Sequence, residues 1–158
     1  MRANSVGKKY VETDLAYVAG LIDGDGAIMA IIEPHHEKKF RFRVRIELKI
    51  TQKRKKHLAF LPKLFCLGAV RQNRTTYDWI SRDQIMIASF LSLIRPYSRI
   101  KQQQINSALK IIATPIRGAQ DLLAVAREAD ALSRYNVRSN NRRKNYVTMI
   151  ETYFSSND

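Results

Sequence analysis

Two carboxylates, Asp23 and Asp25, close the segment Val18-Ala19-Gly20-Leu21-Ile22-Asp23-Gly24-Asp25-Gly26, each followed by a glycine. Carboxylate oxygens are hard donors suited to calcium or magnesium. A calcium loop of the helix–loop–helix kind is excluded by register. With Gly26 at the loop's sixth position, Leu21 falls at the first and Ile32 at the twelfth, where oxygen ligands are needed. The three histidines, His35, His36 and His57, lack metal-ligand spacing. Cys66 is the only cysteine, so an intramolecular disulfide is impossible and a cysteine-based zinc site is disfavoured. It lies between Phe65 and Leu67 and reads as a small core residue. The remaining chemistry is cationic. Lys and Arg number 28 against 14 Asp and Glu, a formal net charge of +14. Such an excess points to a polyanion, nucleic acid first and an anionic membrane surface second.

The chain has 158 residues, 45% of them hydrophobic, enough for one domain over 1–158 with a real core. The longest purely apolar run, Ala27 to Ile32, is far short of a bilayer span. The first dozen residues lack the apolar stretch of a secretory signal. With the single cysteine, the expectation is an intracellular chain, organelle and cytoplasm not being distinguished.

The elements that must hold these groups follow from periodicity. Leu15, Val18, Ala19 and Ile22 predict a helix over 13–23, capped by Thr13 or Asp14 and stopped by the Gly24-Asp25-Gly26 turn. Ala27 to Glu33 reads as a strand and Pro34-His35-His36 as a turn. Arg41, Arg43, Arg45, Glu47 and Lys49 then alternate with Phe42, Val44, Ile46, Leu48 and Ile50, which predicts a strand with one wet and one buried face. A short helix is expected over 53–66, opening on Lys53-Arg54-Lys55-Lys56. A second hairpin, Gly68 to Asn73 and Thr76 to Ser81, turns at Arg74-Thr75 and puts Arg71, Asn73, Asp78 and Ile80 on one face. Ser81 and Gln84 form a capping box for a helix to Ile94. Helices over 100–113, 119–134 and 146–154 follow, with Val137 to Lys144 a basic loop. The order αββαββα plus C-terminal helices is an α+β fold, helices covering the apolar face of the sheet and leaving a basic face open. A strand of about ten residues spans ~33 Å, some ten base pairs of duplex, and a two-stranded ribbon enters the major groove. Glu33, Glu47 and Asp78 on such a face suit cytosine amino groups, which pure phosphate binding would not use.

The segment from Val18 to Gly26 resembles the LAGLIDADG motif of homing endonucleases: seven of nine residues match, Val18 and Gly24 departing mildly from Leu and Ala. The resemblance implies a saddle-shaped antiparallel sheet with helices on one face and double-stranded DNA on the other. A chain with one motif implies a homodimer joined through helix 13–24, with Ala16, Ala19, Gly20 and Asp23 at the interface. Ala16, Gly20 and Gly24 recur every four residues, a small-residue stripe that admits close helix approach. Two-fold symmetry would then bring together two Asp25 carboxylates. These, with the Gly24 carbonyl, would hold Mg2+ or Mn2+, Ca2+ binding without supporting cleavage. The same resemblance makes Gln52, Lys101 and Lys56 catalytic. It assigns DNA contacts to Met29, Ile31, Glu33, His35, Lys38, Arg43, Arg45, Lys49, Arg71, Asn73, Asp78 and Ile80. Arg41 and Glu47 join these from the alternation, and Arg142, Arg143 and Lys144 suggest clamping of the DNA backbone. The implied activity is metal-dependent hydrolysis of both strands at a long, nearly palindromic site, with neither membrane nor small-molecule substrate. An intron RNA maturase and a non-cleaving DNA-binding protein on the same fold are the alternatives.

Overall fold

A computed structural model describes residues 2–3, 9–136, 141 and 143–156. Two short strands, β1 (Arg2–Ala3) and β2 (Lys9–Tyr10), pair ahead of helix α1 (Glu12–Asp25). The helix starts before residue 13, and its cap position is Val11, which has no side-chain oxygen to offer. Instead Asp14 and Leu15 donate backbone N–H groups to the Val11 carbonyl at 3.1 and 3.2 Å. Thr13 and Asp14 therefore lie inside the first turn, where the charges of Glu12 and Asp14 suit the helix dipole. Gly24 does not stop the helix, which runs on to Asp25.

Strand β3 (Gly26–Pro34) follows without a loop. A Cβ on Gly26 would sit 2.7 Å from the Ile22 Cα and carbonyl, so only glycine lets the strand leave the helix this tightly. Strand β4 (Phe42–Gln52) pairs with all of β3, from Gly26 opposite Ile50 to Pro34 opposite Phe42. Arg41 is not part of that strand. It takes a left-handed conformation (φ 61°) and closes the hairpin, its carbonyl accepting from His35 N at 2.7 Å and its guanidinium donating to the His36 carbonyl at 2.7 Å.

Residues 53–66 do not form one helix. A single 3-10 turn (Lys55–His57) precedes a short α2 (Phe60–Phe65). Clustered like charges disfavour a helical start at Lys53, and Pro62, lacking an N–H, fits only a first turn. Strands β5 (Ala69–Asn73) and β6 (Thr76–Ser81) form the expected hairpin at Arg74-Thr75. The sheet order is β3-β4-β6-β5, antiparallel throughout. Helix α3 (Gln84–Ile94) is capped by Asp83, which accepts from Met86 N at 3.0 Å, and not by Ser81, which ends β6. Gln84 serves the sheet instead. Its amide bonds Ile46 N and O at 2.7 and 2.8 Å, continuing a ladder that β6 leaves at Leu48.

Helices α4 (Gln102–Ala113), α5 (Ala119–Asn136) and α6 (Tyr146–Ser155) complete the chain. Helices α1, α3, α4 and α5 pack against the sheet. Ile28, Ile46, Leu48, Ile50 and Trp79 of the sheet meet Leu15, Ile22, Ile87 and Leu91 in one core. The expected α+β layering, with one sheet face covered by helices, is what forms. No helix of the described residues is long and apolar enough to cross a membrane.

Candidate functional site

Pairing Gly26 with Ile50 brings the end of β4 beside the end of α1. There Gln52 Nε2 donates to Asp25 Oδ2 at 2.6 Å, on an exposed carboxylate. Lys101 arrives from the start of α4, and its Nζ donates to the Asp23 carbonyl at 2.6 Å. Burial pushes the Lys101 ammonium below its ordinary range, and the charges of Asp23 and Asp25 pull it part of the way back. The structure thus gathers Asp25, Gln52 and Lys101 around one helix end. Lys56 is exposed on the 3-10 turn beyond Gln52, and the described contacts tie it to none of the three. Among the described residues no three His, Cys, Asp or Glu side chains converge as a metal site. The Asp25 carboxylate and the Gly24 carbonyl at the helix end are hard oxygens that suit magnesium in kind.

Two residues expected at a dimer surface face inward. Ala19 is fully buried against the core. Asp23 is only 8% exposed. Its carboxylate accepts from Ser98 Oγ at 2.6 Å and from the N–H groups of Arg99, Ile100 and Lys101 at 2.7, 3.1 and 3.1 Å. Burial alone would raise this carboxyl, but the four donors together hold it below its ordinary value. Ala16, Gly20 and Gly24 are exposed, as expected, and a Cβ on either glycine would meet nothing within 4 Å. They line a shallow groove with Pro96, Tyr97, Arg99 and Ile100.

The open face of the sheet carries the alternating residues. Register sets Met29 opposite Glu47, Ile31 opposite Arg45, Glu33 opposite Arg43, Lys49 opposite Ile80 and Arg71 opposite Asp78. Its acids are engaged. Glu33 pairs with Arg45 at 2.7 Å and lies 3.6 Å from Arg43. Glu47 pairs with Arg82. Asp78 takes Thr51 Oγ1, Asn73 Nδ2 and Lys49 Nζ at 2.6, 2.8 and 2.9 Å. Arg43 Nη2 donates to His35 Nε2 at 2.7 Å, so that ring nitrogen is the unprotonated one. Lys38 is exposed in the hairpin turn. Met29 and Ile31 line a cleft of about 450 Å³ with Asn136, Lys144 and Tyr146. Arg143 and Lys144 lie between α5 and α6, outside any helix, while Arg142 is outside the described residues. Sequence reasoning missed Thr51, Arg82 and Ser98 as supports. None of the three had a local signal, because each meets its partner across a long stretch of chain.

Residues 18–106 match the family model described as LAGLIDADG endonuclease. The chain belongs to that family. DNA endonuclease I-CreI of Chlamydomonas reinhardtii is 36% identical over 107 residues, which are 66% of this chain and 65% of that protein. DNA endonuclease I-CvuI of Chlorella vulgaris is 28% identical over 100 residues, 61% of this chain and 62% of that one. The matched segments thus span just under two thirds of both relatives. The homing endonuclease I-CvuI, solved with the I-CreI target, shares the fold at a TM-score of 0.80 and 22% identity, over 91% of this chain and 96% of that chain. The LAGLIDADG match includes Asp25, Gln52 and Lys101 and stops within α4, ahead of α5 and α6.

Proposed function

We propose that this LAGLIDADG chain is a site-specific DNA endonuclease that works as a homodimer. It hydrolyses one phosphodiester bond in each strand of a long, nearly palindromic duplex, with divalent metal ions held at Asp25. The observation that carries this reading is the exposed Asp25–Gln52 pair at the end of a helix whose outer stripe, Ala16, Gly20 and Gly24, is bare. A second copy on a two-fold axis covers that stripe with its own and adds the second carboxylate.

Bound magnesium supplies an activated water and neutralises developing charge. The protein supplies position. Gln52 orients the Asp25 carboxylate by donating to one oxygen. Lys101 places a cation beside the same helix end, where it offsets charge on the attacked phosphate. Arg43, Arg45, Lys49, Arg71 and Asn73 face the duplex from the sheet, phosphate contacts fixing register and base contacts reading sequence. Relatives support the choice of ligands: I-CvuI has been solved on DNA with magnesium, the DNA not cleaved, and on its target with calcium, and the archaeal intron-encoded I-Vdi141I has been solved complexed with DNA.

The test is incubation with a randomised plasmid library and magnesium, followed by mapping of cut ends. Site-specific double-strand cuts are expected, and their absence overturns the nuclease reading. Asp25→Asn should bind the selected site normally and cut at least ~100-fold more slowly. An Asp25→Asn protein that still cuts at the full rate removes the metal assignment.

A further inference from the structure

One residue holds Lys101 at both ends. Asp23 Oδ1 accepts from Lys101 N at 3.1 Å, while the Asp23 carbonyl accepts from Lys101 Nζ at 2.6 Å. The same carboxylate takes Ser98 Oγ and the N–H groups of Arg99 and Ile100. Four consecutive residues of the turn that delivers Lys101 are therefore tied to one buried side chain, while Gln102 Nε2 donates to the Arg95 and Ser98 carbonyls behind it. Helix α4 has no side-chain cap at Lys101, and the N–H groups that Asp23 takes belong to the turn that leads into it. Asp25 lies two residues further along that helix end. The ammonium and the exposed carboxylate are thus both set against a single stretch of backbone.

We infer that Asp23 is a positioning residue for the reaction, clamping the Lys101 ammonium beside Asp25. The use made of Lys101 rests on the nuclease reading; its placement does not. A carboxylate that served only stability would hold this turn without mattering to where Nζ points. Asp23→Asn separates the two, because it turns one acceptor into a donor facing N–H groups and removes the charge. Ser98→Ala is the milder variant, deleting one donor and leaving the carboxylate.

The first measurement needs no cutting. The purified full chain is acetylated with an amine reagent and read by peptide mass spectrometry. Lys101 should react several-fold faster in Asp23→Asn, and by a smaller factor in Ser98→Ala. Lys110, held by Glu128 at 2.7 Å, should be unchanged. Equal Lys101 rates in all three proteins overturn the clamp. The second measurement is a double-mutant cycle on single-turnover cleavage of the plasmid site that the wild-type protein cuts. Asp23→Asn should slow cleavage ~10-fold or more with DNA affinity unchanged, and adding it to Lys101→Met should cost nothing further. Additive losses overturn the inference. A wild-type protein that cuts nothing removes the nuclease reading alone, and the acetylation result still decides the clamp.

Discussion

Asp78 is 3% exposed, yet it lies on the open face of the sheet. Burial alone would push its carboxyl up. Hydrogen bonds from Lys49, Thr51 and Asn73, with the Lys49 charge, outweigh this and hold it below its ordinary value of 3.8. Its contribution to stability is therefore complete above that value and is lost as pH falls through the lower value of the folded state. Asp78→Ala strands a half-buried ammonium and two further donors, a loss of about 1–3 kcal/mol at neutral pH by urea denaturation. The variant should also show a flatter fall of stability between about pH 5 and 2 than the parent; parallel curves would show that Asp78 does not titrate as argued. Alternation in the sequence placed Asp78 on this face. It could not show that Lys49 and Thr51 of β4 and Asn73 of β5 converge on it, because that depends on strand register, which distant pairing decides.

At the scale of elements, α1 shows what a helix pattern does and does not disclose. Its buried side and its bare stripe were both legible from spacing, since each is a local property. The inward turn of Asp23 was not, because it answers the N–H groups of a turn far along the chain, ahead of α4. The same limit explains the other departures. Asp83 supplanted the Ser81–Gln84 box because β6 keeps Ser81 and Gln84 is drawn to Ile46. Arg41 left its strand because the hairpin needed a left-handed residue to close. The stripe itself is open to test. Gly20→Leu replaces the poorer helix former with the better, worth about 1 kcal/mol in an exposed turn. The subunit should keep the parent's helix content by circular dichroism, while sedimentation should give half the mass and cleavage should vanish. A Gly20→Leu protein that stays dimeric would remove α1 from the proposed interface.

Over the whole molecule the dominant quantity is the formal charge of +14. If the sheet and the basic segment at Arg143 and Lys144 meet phosphates, raising salt from about 50 to 200 mM should weaken duplex binding by ~10³-fold or more. Fluorescence anisotropy at four salt concentrations measures it, and a flat response would exclude a broad phosphate contact. That charge is not free over the open face of the sheet, however. Glu33 holds Arg45, Glu47 holds Arg82 and Asp78 holds Lys49. On the proposed reading, a duplex landing there must displace these matches before it can make its own, and recognition is an exchange. A wrong sequence would unseat an arginine and leave a carboxylate facing a phosphate with nothing to accept. Such a nuclease would reject poor sites through the penalty for an incomplete exchange, as much as through the grip offered to the right one.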